Sequence, residues 1–209
     1  MSSAARVTRP PPTPTPTPTL HGRAVQRFTV EQYHRMIDAG VFVGAPKCEL
    51  IRGYILEKSV PGPPHSKSTS RLMRRLLPLF PEPDWVVQIQ DSITLADSEP
   101  EPDFSAATGP ESKYDARHPG PADLVLVVEV SDSTAAFDRG AKLALYAGNK
   151  VAQYWIIDVN ARRIEVYTNP RGGKSAGYRT RTEYAPGDAV PVVIAGATLG
   201  TVAAADLLP

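Results

Sequence analysis

One cysteine, Cys48, in a chain of 209 residues excludes an internal disulfide and any cysteine-based zinc cluster. A reducing, cytoplasmic setting is the expectation that follows. Excess charge is also lacking, since 23 Lys and Arg stand against 22 Asp and Glu. A general attraction to phosphate is therefore excluded, and contact with nucleic acid requires a local basic patch. No apolar run is long enough to span a bilayer. The first residues carry positive charge but no apolar h-region, so they do not read as a signal peptide. Trp85 and Trp155 are expected in the core, and neither belongs to a stacking pattern of the kind single-strand binders use.

Proline and threonine, by contrast, are concentrated at one end. They alternate from Pro10 to Thr19, which removes ladder donors and favours extended polyproline geometry. Residues 1–26 are accordingly expected to be a disordered tail, and residues 27–209 a single domain. The apolar fraction of 42% is ample for a core.

Thr29 with Gln32 reads as a capping box opening a helix from Val30 to Ala39, ended by Gly40. CELIRGYILEKS looks like a hairpin turning at Arg52-Gly53. Pro61 to Pro64 breaks the chain, and a helical pattern runs from His65 to Phe80. On that helix Leu72, Leu76 and Leu79 mark an apolar side, while Lys67, Arg71 and Arg74 recur as a basic stripe. Trp85 to Leu95 alternates like a strand with one wet face, and Phe104 to Ala122 reads as mostly loop. Leu124 to Val130 is the near-continuous apolar run of a central strand covered on both faces. A helix from about Ala136 to Asn149 and a buried strand from Ala152 to Asp158 follow, a right-handed βαβ crossover. Arg163 to Thr168 and Tyr178 to Tyr184 read as later strands. The fold class is α/β, with a central mixed sheet flanked by helices.

Against this background Glu129 stands out, because an ionised carboxylate near the end of the most apolar strand is costly unless paired or bound to a cation. Asp103 follows Pro102 beside further acids at Glu99 and Glu101. On the helix after the Glu129 strand, Asp138, Lys142 and Tyr146 fall one turn apart on one face. If Asp103 and Glu129 lie on adjacent strands, their oxygens converge on a hard cation such as Mg²⁺, with Lys142 reaching over it. The same spacing equally describes a structural ion pair. Tyr146 is expected in the core, and Asp138 is expected to pair with Arg139 or Lys142 or to favour the helix start.

The ordered set CELIRGYI, His65, VQIQDSITL, EPDF, LVVEVSDS, FDRGAKLALYA and QYWIID resembles the Uma-type restriction endonucleases of the PD-(D/E)xK nuclease superfamily. The resemblance runs from about Arg27 to the C-terminus. It implies a restriction-endonuclease-like core, hydrolysis of phosphodiesters with DNA as substrate, and dependence on Mg²⁺, with Mn²⁺ as substitute. It places Asp103, Glu129 and Lys142 in catalytic roles and Asp103, Glu129 and Glu49 around the metal. The lysine expected two residues after the second acid is replaced by Ser131, and its match lies on the following helix at Lys142. His65 matches a family histidine placed to contact a phosphate or shuttle a proton, and Gln90 a strand position that lines the cleft. With the stripe Lys67, Arg71 and Arg74, which spacing alone equally describes as a solvated helix face, they are the candidate nucleic-acid contacts. Cutting both strands of a duplex would suit a homodimer. A catalytically silent module that keeps the fold, binding nucleic acid or a protein partner, is the competing reading. A two-carboxylate glycosidase is a third, and it leaves Lys142 idle.

Overall fold

The computed structural model of the chain describes residues 19, 20 and 22–209. The Pro/Thr-rich segment expected to form a tail lies outside the described residues up to residue 18. Ahead of Arg27, β1 (Thr19–Leu20) pairs with β2 (Arg23–Ala24). Then come α1 (Val30–Asp38), the hairpin β3 (Cys48–Ile51) and β4 (Tyr54–Glu57), α2 (Pro63–Leu76), β5 (Trp85–Gln88), β6 (Phe104–Thr108) and β7 (Leu124–Ser131). The chain continues through α3 (Ala135–Phe137), a π-helix (Asp138–Lys142) and α4 (Leu143–Gly148). It ends with β8 (Gln153–Asp158), β9 (Arg163–Arg171), β10 (Gly177–Tyr184), β11 (Ala189–Ile194) and β12 (Ala197–Ala203).

Six strands form the central sheet in the order β10-β9-β8-β7-β6-β5. Every neighbouring pair is antiparallel except β7 and β8, which run parallel with Glu129 opposite Ile156. The helical crossover expected between these two strands is therefore present. Alternation along the strands divides the core in two. Leu126, Val128, Val130, Trp155 and Ile157 face Leu72 and Leu76 of α2 on one side. Val127, Tyr154, Ile156 and Tyr167 face Leu145 and Tyr146 of α4 on the other. Glu129 has the parity of Val127, so its strand delivers it to the α4 side.

The capping box of α1 is formed: Gln32 N–H donates to Thr29 Oγ1 at 3.1 Å, and Thr29 N–H donates to Gln32 Oε1 at 2.8 Å. The hairpin turn sits at Arg52 and Gly53, with φ of 51° and 81°. Both residues are left-handed, as a tight two-residue turn demands. A Cβ on Gly53 would stand 2.9 Å from Arg27 Cβ and 3.0 Å from the Phe28 carbonyl. Gly53→Ala is expected to cost about 2 kcal/mol, the sum of positive-φ strain and overpacking. Urea unfolding checks this, and a loss within error of zero would contradict it.

Four expectations from the sequence need correction. The strand expected over Trp85 to Leu95 stops at Gln88, because the facing chain offers Pro100 and Pro102, which have no N–H for a ladder. Their carbonyls instead accept from Ile93 and Gln90, and Gln90 turns to a φ of 53°. The segment from Phe104, expected as loop, begins with β6, an interior strand buried by Phe104, Ser105, Ala106 and Ala107. Its Ser-Ala-Ala middle shows neither alternation nor β-branching, which hid it. The helix expected from His65 starts at Pro63, with Gly62 as N-cap and proline in the first turn, where its missing N–H costs nothing. The helix expected over Ala136 to Asn149 is interrupted by the π-helix. The hairpin β11–β12, absent from the sequence reading, covers the α2 side of the core with Val190, Val192 and Val202.

Candidate active site

A cavity of about 660 Å³ opens at the carboxyl end of β7. The β3–β4 hairpin, the start of α2 and the π-helix wall it, and Glu49, Asp103, Glu129 and Lys142 line it. All four are buried, with relative exposures of 5–7%.

Asp103 immediately precedes β6, next to β7. Its Oδ2 accepts from Val130 N–H at 2.8 Å and lies 3.1 Å from His65 Nε2. Its Oδ1 accepts from Gln90 Nε2 at 3.1 Å. Burial alone would raise the Asp103 pKa, but the bonds from His65, Val130 and Gln90 outweigh it and hold the group below its ordinary value. Burial likewise lowers the His65 pKa, and Asp103 more than reverses it, so His65 is raised. The left-handed backbone of Gln90 is of the strained kind that persists where surroundings over-determine it, and here it aims an amide at a buried acid.

Glu129 Oε1 accepts from Lys142 Nζ at 2.9 Å and from Tyr146 Oη at 2.7 Å. Lys142 Nζ is also 3.4 Å from Glu49 Oε2, which in turn accepts from Glu101 N–H at 3.3 Å. Burial pushes the Glu129 carboxyl up to about 8, against the pull of Lys142. For Lys142 burial acts downward, but Glu129, Glu49 and Asp138 outweigh it and raise the ammonium. Burial thus raises Glu129, while the neighbouring carboxylates raise Lys142. Glu129 holds a proton more readily, and Lys142 keeps its charge.

Asp138 does not form a hydrogen bond with Arg139 or Lys142. Its Oδ2 accepts from Ser131 and Thr134 hydroxyls, each at 2.6 Å. Arg139 turns instead to Glu165 and Asp158 on the sheet. Tyr146 is fully buried as expected and in addition donates to Glu129. The basic stripe is not brought to the cavity. Lys67 stands about 200° round α2 from His65, on the far side of the helix. Arg71 donates to the Leu208 carbonyl, and Arg74 to the Ser70 carbonyl at 3.2 Å. Lys47 and Lys58 line the cavity instead, both paired with Glu101, at 2.6 and 3.1 Å. Their role had no pattern in the sequence.

Among the described residues, no three His, Cys, Asp or Glu side chains converge closely enough to hold a metal ion. Lys142 lies between Glu129 and Glu49, and His65 and Gln90 take up Asp103. The donor chemistry nevertheless fits a hard cation. Three carboxylates, Glu49, Asp103 and Glu129, face one cavity, and oxygen donors of this kind suit such an ion. No helix among the described residues is long and apolar enough to cross a membrane.

A mixed six-stranded sheet flanked by helices, with paired acids and a lysine at the carboxyl end of its central parallel strand, places the molecule in the nuclease-fold class. The chain belongs to the Uma2 family, described as "Putative restriction endonuclease", whose model matches residues 30–200. It is also similar to the crystal structure of a "putative nuclease belonging to DUF820" from Anabaena variabilis, with 17% identity and a TM-score of 0.61. That likeness covers 86% of this chain and 97% of the other, and at such identity it speaks for the fold alone. No curated protein matches the sequence.

Proposed function

We propose that the chain is a Mg²⁺-dependent endonuclease hydrolysing DNA phosphodiesters, with Mn²⁺ able to substitute. The observation that carries this is the meeting of Glu129, Glu49 and Lys142 with Asp103 on the wall of one cavity. Asp103, Glu129 and Glu49 would hold the ion. Bound there, it supplies Lewis acidity toward phosphate and water.

The chain's own residues supply the rest. Lys142 donates to the phosphate oxygen on which charge develops, in a site dry enough to strengthen that interaction. Tyr146 fixes Oε1 of Glu129, and Gln90 and Val130 fix Asp103. His65 faces the cavity from the start of α2, where it can donate to a phosphate. Lys67, Arg71 and Arg74 lie outside the lining of this cavity. Supercoiled plasmid incubated with Mg²⁺ or Mn²⁺ is the test. Nicking that EDTA stops and added Mg²⁺ restores is expected, and nicking indifferent to EDTA would contradict the reading.

One observation favours the silent-module alternative: Lys142 already neutralises the acids that would hold the ion. A module of that kind would bind DNA equally well after Asp103→Ala and never cut it.

A further inference from the structure

We infer that Arg139 is a positioning residue, whose fork on Glu165 and Asp158 holds the π turn that carries Lys142 to Glu129. For its kinetic consequence this rests on the catalytic reading of Lys142 given above. The geometry itself is independent of that reading.

The turn Asp138–Lys142 is wound wider than an α-helix: Leu143 N–H reaches back to the Asp138 carbonyl, five residues earlier. Such turns are rare, tend to sit at functional sites, and need surroundings that hold them open. Three ties to the sheet do so. Ser131 and Thr134 hydroxyls fasten the Asp138 carboxylate. The Tyr154 hydroxyl, rising from β8, donates to the Asp138 carbonyl at 3.2 Å. Arg139 then donates through Nε at 3.0 Å and Nη2 at 2.6 Å to Glu165 Oε1, and through Nη2 at 2.5 Å to Asp158 Oδ2.

Arg139 bonds none of Asp103, Glu129 and Glu49, so any influence on the site passes through Lys142, one turn on. Its anchor is firm. Glu165 is fully buried in β9, with Tyr167 Oη donating to Oε2 at 2.5 Å and Arg181 Nη2 3.1 Å from Oε1. Two strands, β8 and β9, thus grip the turn at one guanidinium, and a planar fork suits two carboxylates where an ammonium does not. Without the fork the turn keeps its ties at Asp138 but loses its hold one residue on, and the line from Lys142 to Glu129 loosens.

The test compares the full chain with Arg139→Ala and Arg139→Lys by acylating surface amines with a succinimidyl acetate reagent and reading each lysine by mass spectrometry. Lys142, buried behind Glu129, is protected in the parent protein, whereas exposed Lys113 provides the internal standard. Arg139→Ala is expected to raise Lys142 labelling by about tenfold relative to Lys113, through local opening of the turn. Cleavage should fall by about 100-fold in kcat with KM held within about twofold, the mark of misplacement rather than lost binding. Should the Ala variant not fold, Arg139→Lys carries the test, with a labelling increase of about threefold. Lys142 as protected in the folded variants as in the parent would overturn the inference, whatever the cleavage. Lys142 exposed on substitution in a protein whose parent never cuts DNA would sink the nuclease reading and leave the positioning role standing.

Discussion

Lys142→Met is expected to lower DNA cleavage by about 10²–10³-fold and unfolding free energy by about 3 kcal/mol. The two losses have one cause. The ammonium is the shared partner of Glu129 and Glu49, at 2.9 and 3.4 Å, with all three groups buried. Removing it takes the cation from a buried pair, so Glu129 is driven further toward its protonated form and Glu49 loses its ammonium partner, which is the expensive way to break such a pair. Adding Glu129→Gln to the same chain should return about half of the lost stability, because the amide oxygen still accepts from Tyr146 and carries no charge. Cleavage should not return. Chemical denaturation of the parent, both single variants and the double variant measures the coupling. Recovery of activity in the double variant would show that Lys142 serves only to neutralise Glu129.

Stability is expected to fall as pH rises from about 4.5 to about 8, at up to about 1.4 kcal/mol per pH unit, in the absence of divalent metal. The source is Glu129, whose carboxyl is pushed up from 4.5 to about 8, first by burial. Over that window the unfolded chain has released the proton and the folded chain retains it. Native protein then binds more protons than unfolded, so raising the pH favours unfolding. The contribution is fully present below the unfolded value and lost as pH climbs through the folded one. His65, with its raised pKa, acts in the same direction from its ordinary value upward. Asp103 acts oppositely: its depressed pKa gives stability above the unfolded value that is lost only in stronger acid. Melting temperatures of wild type and Glu129→Gln across this range separate these terms, because the substitution should flatten most of the slope. An unchanged slope would place the titration elsewhere.

Glu129 was legible in the sequence because a charge inside an unbroken apolar strand is an anomaly whatever the fold, and its parity with Val127 fixed the side it faces. Lys142 was legible as a candidate from helical spacing, since Lys142 and Tyr146 do reach the same carboxylate oxygen. The π turn between Asp138 and Lys142 was not, because its causes are hydroxyls and carboxylates brought from β7, β8 and β9 by tertiary structure. Asp138 does stand at the start of its turn, as one of the expectations had it, but its hydrogen bonds go to two hydroxyls that no charge pattern could show. Asp103 was identified without the strand it introduces, since FSAAT carries no periodic signal and its burial comes from neighbours on both faces. The stripe Lys67, Arg71, Arg74 shows the limit of periodicity. Spacing defines a face, but only the packing of α2 against the sheet decides that His65 turns to the cavity and Lys67 away from it.

Plasmid cleavage by wild type, Asp103→Ala and Lys142→Ala, purified side by side and assayed with Mg²⁺ and Mn²⁺, is the most direct measurement on this site. The account predicts metal-dependent nicking by the wild type, and its loss in both variants while their folded state persists. Nicking that survives both substitutions would contradict it, showing that the cavity formed by Asp103, Glu129 and Lys142 does not cut DNA.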